Sequence, residues 1–331
     1  MKRETNNRTD LSKAIPIRTP FVVHIDTCNV CNFRCNFCTS GDHELLKSQN
    51  RAWGRMTYEL FCKIIDDLGA FDDKVKDILF HKNGEPLLHD DIVRMMRYAK
   101  EKNVANRLIL VTNGSKLTPS LSREIMSIGI DYIQISIEGV SDEGYRKVSN
   151  VNLDYDKLVG NIAYLYAHKH PDSTVNVKIM DCGLSEAERQ KFRDDFAGIS
   201  DTQSIEHPIS YTQPELKDTS LGIQPESTHD GYQRTYKEVC TLPFYTMNIN
   251  FNGNVSACSF DWRHGLIMGN ANEESLKSIW NGKPYNDFRI MHLRKQRNSH
   301  PVCKGCGGVC NLIDNIDAAA DEILQRMPCT N

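Results

Sequence analysis

Long apolar runs are missing from this sequence. No segment approaches the roughly 18 consecutive apolar residues that a membrane-spanning helix needs, so no membrane association is expected. The opening stretch, MKRETNNRTDLSKAIPIRTP, lacks the apolar core of a secretory signal, and a cytoplasmic location is the expectation. An excess of basic charge is also missing: 40 Lys and Arg stand against 43 Asp and Glu, a formal net charge of −3. With no basic, aromatic-interleaved stripe either, nucleic acid is not expected as a partner. The apolar poverty of a disordered chain is absent too, since hydrophobic residues make up 40% and charged residues 25% of the 331. At about 100–200 residues per domain, this length suits one large domain and a smaller one. What the sequence does have is sulfur, in 12 cysteines. Without an export signal these are not expected to form a disulfide framework, because the cytosol keeps thiols reduced. Clustered thiols in that compartment more often bind metal.

The spacing of the cysteines is informative. Cys28, Cys31, Cys35 and Cys38 crowd into CNVCNFRCNFC, and Cys303, Cys306 and Cys310 into CKGCGGVC. Cys240 and Cys258 lie between, while Cys62, Cys182 and Cys329 stand alone. Dense groups at opposite ends imply two metal sites, or one assembled from both. In the first group, Cys31-x3-Cys35-x2-Cys38 offers three soft thiolates from one loop. A cubane iron–sulfur cluster has four irons, so three protein ligands leave one iron open to bind another molecule. The competing reading is a zinc knuckle that uses all four thiols of the group. This spacing, with Phe37 just before the last cysteine, resembles the signature of the radical S-adenosylmethionine (radical SAM) superfamily. The resemblance implies a [4Fe–4S] cluster on Cys31, Cys35 and Cys38 whose open iron chelates SAM. It also implies a flavodoxin- or ferredoxin-type electron donor and reductive cleavage to a 5′-deoxyadenosyl radical. Cys28 departs from the pattern, which usually has a small polar residue there. It is either a spare thiol or a fourth ligand that would close the site.

Strand and helix patterns alternate behind this group. FVVHID (21–26) reads as a strand, Thr57 caps a helix through Leu60, Ile64, Ile65 and Leu68, and 75–81 reads as the next strand. A helix over 91–102, a strand at 107–112, a helix from Thr118-Pro119 to Ile128 and a strand at 132–137 follow. A long helix at 154–168, a strand at 175–180, a helix from Ser185 and a short strand near 203–207 complete the series. Such repeats imply a parallel sheet with right-handed crossovers. Six units fit the α/β fold that the resemblance implies, a partial (β/α)6 TIM-like barrel over 21–207, after a polar segment at 1–20. Ligands of parallel barrels gather at the C-terminal strand ends, where the cysteine loop falls.

The same rule selects further residues. Lys82-Asn83-Gly84-Glu85-Pro86 follows the second strand and resembles the family's Gly-Gly-Glu element, which implies SAM binding by Asn83, Gly84 and above all Glu85. Asn113, in Thr112-Asn113-Gly114, recurs in the family at the barrel mouth. Ser136 falls where the family places a ribose-contacting hydroxyl, and Glu138 lies two residues on, on the same face. Lys178, on the fifth strand, is a candidate for the SAM carboxylate or ribose. The plain readings of these residues are ordinary turns and satisfied backbone groups.

Residues 208–239 are polar, carry prolines and show no period, as expected of a linker. From Cys240 the pattern changes to a hairpin around Asn252-Gly253, then helices over 272–282 and through Phe288, Ile290, Met291 and Leu293. Cys240-x12-Gly253-x4-Cys258, with Cys303-x2-Cys306, resembles the SPASM and twitch domains that follow some radical SAM barrels. That implies a small α+β domain over 240–331 with a second, auxiliary [4Fe–4S] cluster on Cys240, Cys258, Cys303 and Cys306. Cys310 competes for the fourth place, and a structural zinc ribbon is the rival. Four ligands would saturate this cluster and leave it to handle electrons. The expected reaction is oxidation of a secondary alcohol on a small, carbohydrate- or aminocyclitol-like substrate, with Glu138, Asp261 or His264 as base. Redox-neutral epimerisation is the alternative and needs a free thiol as hydrogen donor, from Cys310, Cys182 or Cys28. Peptide modification is a third reading, but only residues 1–20 precede the first strand where a peptide-recognition domain would sit. A non-catalytic zinc protein is the reading from outside the enzymes.

Overall fold

Branched and aromatic residues at alternating positions decide where the strands lie. The computed structural model of the protein describes residues 8–210, 216–228 and 232–328. The expected segments 1–20 and 208–239 fall partly outside this set, and Cys329 lies outside it altogether. Six strands run in parallel: β1 (Val22–Ile25), β2 (Val75–Phe80), β3 (Ala105–Thr112), β4 (Tyr132–Ile137), β5 (Thr174–Met180) and β6 (Thr202–Glu206). On β1, Val23 and Ile25 are fully buried against the helices, while His24 turns to the other face and lines a cavity. Side chains alternate across a strand, so one strand feeds both the core and the lumen.

The crossover helices start where small polar caps dictate. Thr57 accepts from the Leu60 N–H at the head of Tyr58–Leu68, and Thr118 from the Leu121 N–H at the head of Pro119–Ile128. Ser185 and Glu188 form a reciprocal capping box for Glu186–Phe196. Ile92–Lys102 and Tyr155–Ala167 complete the expected set. One further helix, Asp142–Ser149, follows β4. Its short amphipathic pattern lies within a polar stretch and gives no clear signal in the sequence. Among the described residues no helix is long and apolar enough to cross a membrane.

The C-terminal strands join the same sheet. β7 (Thr246–Ile249) lies parallel to β1, pairing Val22 with Thr246 through Ile25 with Ile249. Its hairpin partner β8 (Asn254–Ser256) turns back at Gly253, whose φ of 87° is open to glycine and costly for other residues. β9 (Ile267–Asn270), not expected from the sequence, closes the order β6-β5-β4-β3-β2-β1-β7-β8-β9. The helix expected over 272–282 begins only at Leu276, because the Asn270 side chain accepts from the Asn272 N–H and holds a turn there. Lys283–Leu293 follows it. A short terminal helix, Ala320–Arg326, packs with Leu11, Ile15, Val239 and Phe244 in a second, smaller core.

Candidate active site

The loops at the C-terminal ends of β1 and β2 are laced together by backbone. The Glu85 N–H donates to the Val30 carbonyl over 3.0 Å. A Cβ on Gly84 would lie 2.1 Å from the Cys28 carbonyl oxygen, so only glycine permits this approach. Above the seam opens a cavity of about 360 Å³ lined by Cys31, Cys35 and Cys38, with Phe37 beside them. Asn83, Gly84, Glu85, Asn113, Ser136, Glu138 and Lys178 line the same cavity. The barrel's cluster, SAM and base candidates are thus gathered at one place, with the exception of Cys28.

Each has definite surroundings. Glu85 accepts from Thr112 Oγ1 at 2.6 Å, the Leu87 N–H at 2.9 Å and the Asn113 N–H at 2.7 Å. That uses three of a carboxylate's roughly four acceptor positions and leaves room for one donor from a ligand. Burial nevertheless wins over these bonds and raises its pKa to about 7. Asn113 Nδ2 donates to Asn32 Oδ1, tying the β3 turn to the cysteine loop. Lys178 is ion-paired with Glu206 at 2.8 Å, so it meets a ligand as part of a pair and not as a bare cation. Glu138 is different: its Oε2 is buried with no hydrogen-bond partner, and burial pushes its pKa up to about 8 against the opposing pull of Lys178.

The thiols also report burial. Desolvation pushes Cys31 up to about 12 and Cys35 well above the ordinary thiol range, with Glu138 adding to both. Such thiols are poor acids in water and give up their protons to a metal instead. Cys28 faces elsewhere: it is buried, points at the Val30 carbonyl and is absent from the cavity lining.

A second, smaller void of about 30 Å³ lies in the C-terminal region, lined by Cys240, Cys258, Cys303 and Cys306 together with His292 and Arg297. Cys310 lines neither cavity; the short helical turn Gly307–Asn311 carries it past Cys306 to the side of Lys237. That position is away from the barrel cavity, where a hydrogen donor for epimerisation would stand. Asp261 and His264, the other base candidates, also have different tasks. Asp261 accepts from Ser256 Oγ and from the Gly265 and Leu266 N–H groups, which pins the loop after Cys258. His264 sits at φ 57°, and its Nε2 lies 3.0 Å from Asn83 Nδ2. Burial and then Lys82 and Arg51 lower it to about 2, so the neutral ring accepts from that amide.

Several lining residues did not stand out in the sequence: His24 on the lumen face of β1, His81 just past the end of β2, and Phe260 and Trp262 on the loop after Cys258. A histidine between two core residues of a barrel strand was the available signal for His24. For Phe260, which lines both cavities, no signal existed, because its place depends on the two parts meeting.

The donor sets fit iron–sulfur clusters. Three thiols from one loop stand around open space, and four more from three separate segments surround the second void. A cubane spreads its thiolates around four irons, as this requires. Comparison with known proteins agrees. The family model described as the radical SAM superfamily matches residues 25–196, more than half of the chain. The chain belongs to the radical SAM superfamily. Membership brings a [4Fe–4S] cluster and SAM as cofactors. A second model, SPASM, described as an iron-sulfur cluster-binding domain, matches residues 240–307, which contain the four thiols of the smaller void.

Two curated relatives span most of this radical SAM protein. A tungsten-containing aldehyde ferredoxin oxidoreductase cofactor-modifying protein of Pyrococcus furiosus is 32% identical over 89% of this chain and 90% of its own. The S-adenosyl-L-methionine-dependent 2-deoxy-scyllo-inosamine dehydrogenase of Niallia circulans is 23% identical over 87% of this chain and 93% of its own. Among solved structures, BtrN in complex with AdoMet and 2-DOIA superimposes with a TM-score of 0.57 at 19% identity, covering 90% of this chain and 97% of that one. That likeness shows the shared fold.

Proposed function

We propose that this radical SAM enzyme oxidises a secondary alcohol of a small, carbohydrate- or aminocyclitol-like substrate to a ketone. The observation that carries this reading is Glu138: a buried carboxylate with an unpartnered oxygen, beside the cysteine loop and facing the same cavity. Cys31, Cys35 and Cys38 would hold the SAM-binding cluster, and Cys240, Cys258, Cys303 and Cys306 the auxiliary one. When bound, these groups supply a hydrogen-abstracting 5′-deoxyadenosyl radical and a one-electron acceptor. The protein's own residues do the rest. Glu85 offers its remaining acceptor position to the SAM ammonium. Asn83, Ser136 and Lys178 line the space beside it. Glu138 Oε2 takes the hydroxyl proton, which a carboxylate raised to about 8 does more readily than an ordinary one. Phe260 stands as an apolar wall common to both cavities.

The dehydrogenase named among the relatives, similar along most of both chains, supports an alcohol as the reacting group. Epimerisation finds less support. It needs a thiol facing the substrate, and beyond the three loop cysteines no other cysteine among the described residues lines the barrel cavity. The test is an anaerobically reconstituted enzyme given SAM, reductant and a panel of sugars and aminocyclitols. The expected result is 5′-deoxyadenosine with a product that has lost two hydrogens. A product of unchanged mass carrying one solvent deuterium would overturn the reading in favour of epimerisation.

A further inference from the structure

Arg297 is a buried cation with no carboxylate paired to it among the described residues. It is 4% exposed, and it forms no ion pair with any carboxylate among the described residues. Its Nη1 donates to the carbonyls of Cys303 at 3.2 Å and Cys306 at 3.3 Å, and its Nη2 to the Tyr236 hydroxyl at 2.9 Å. Its Nε is buried without a partner, although the side chain lines the void between the four thiols. A guanidinium taken out of water costs several kcal/mol unless a counter-charge and full hydrogen bonding offset it. Neutral carbonyls and a phenol do not supply that charge. Four thiolates around an iron–sulfur cluster do, because the assembly is anionic in both its oxidation states.

We propose that Arg297 is the counter-cation of the auxiliary cluster and raises its reduction potential, poising it to accept an electron. This rests on the proposed cluster at Cys240, Cys258, Cys303 and Cys306. Reduction adds one negative charge to the cluster, so a fixed positive charge at its edge stabilises the reduced form more than the oxidised one. Charge and hydrogen bonding at the sulfurs are established levers on such potentials. The surroundings favour Arg297 as the source. It acts on Cys240, Cys303 and Cys306 in the direction of the thiolate, opposing their burial. His292 lines the same void with its Nε2 3.9 Å from Cys303 Sγ, but an imidazole is not the permanent charge that a guanidinium is. Asp261 faces Cys258 with the opposite sign, but its oxygens are spent on Ser256 and two backbone N–H groups. Lys82 faces Cys258 from the barrel side and lies in the neighbouring cavity's lining.

The role is one of positioning and tuning, and the test reads the potential. In the full chain with Cys31, Cys35 and Cys38 changed to alanine, only the auxiliary cluster remains to be titrated by EPR. There Arg297→Gln is expected to lower the midpoint so that the reduced fraction at a fixed potential falls about tenfold, which is about 59 mV for one electron. Arg297→Lys, which keeps the charge, is expected to restore most of it. An unchanged midpoint in Arg297→Gln with four irons bound overturns the proposal. If that variant holds too little iron, Arg297→His decides: its midpoint should fall as rising pH removes the imidazole proton, and a midpoint no more pH-dependent than that of the arginine form overturns it. A void that takes up zinc and shows no redox signal overturns it as well. The result stands apart from the alcohol reading. A shifted midpoint in an enzyme that makes no ketone sinks only the latter, and ketone formation with an unshifted midpoint sinks only the former.

Discussion

One methyl group at position 84 would sit 2.1 Å from the Cys28 carbonyl oxygen and push the β2 loop away from the cysteine loop. Because the obstacle is backbone on both sides, neither can yield cheaply. Gly84→Ala is expected to cost about 1–3 kcal/mol and to abolish SAM binding, read by thermal unfolding and by the EPR change on adding SAM. An alanine variant that binds SAM normally would show that the seam is looser than its geometry. Glu138 makes the second case at this scale. As a base it works only when ionised, and its pKa is about 8, so ketone formation should rise with pH through that region and level off above it. Glu138→Gln should abolish both the pH step and the ketone while leaving cleavage of SAM to 5′-deoxyadenosine in place. A flat profile in the parent enzyme would remove Glu138 from the proton transfer. These residues were legible in the sequence because they occupy fixed offsets from strand ends. The placement of Cys310 was not legible, because proximity in sequence to Cys306 says nothing about which side of a helical turn a side chain takes.

The element that does most for the site is the loop between β8 and β9. Within the seven residues 258–264 it presents Cys258 to the smaller void, Phe260 and Trp262 to the barrel cavity and His264 to Asn83. No periodic signal marks it, and only Cys258, Asp261 and His264 stand out in its sequence. Its shape comes from Asp261, which is 1% exposed and accepts from one hydroxyl and two backbone N–H groups. Asp261→Ala would leave those donors buried and unpaired, at a cost of at least about 2 kcal/mol. Iron content should then fall towards that of the first cluster alone, although Asp261 is no ligand; full iron loading in this variant would refute the loop's dependence on it. The crossover helices, by contrast, were legible almost to the residue, since Thr57, Thr118 and Ser185 cap them locally and their apolar faces repeat at helical spacing. Asp142–Ser149 was not, because its short pattern lies within a polar stretch even though Ser141 caps it, and β9 was not, because four residues carry too little pattern.

Across the whole molecule, the parallel pairing of β7 with β1 turns two stretches of sequence into one sheet. Lys82 Nζ donates to Asn250 Oδ1 at 2.7 Å across the same seam, and Trp280 Nε1 to the Ile17 carbonyl at 2.9 Å. Calorimetry of the full chain should therefore show one cooperative transition. Two separated transitions would mean that the barrel and the C-terminal region fold independently. The change of pattern at Cys240 suggested a separate C-terminal unit but could not show this pairing, since a parallel partner more than two hundred residues away leaves no local trace. The position of β1 has a consequence for how the site fluctuates. It lies in the interior of the sheet, hydrogen-bonded on both flanks, with the cysteine loop attached to its end. Interior strands of this kind open only when the whole molecule does, so the β1 amides should be among the slowest to exchange with deuterium. The chemistry is thus hung from the part of the chain that breathes least, and any opening that admits substrate has to come from the sheet's margins.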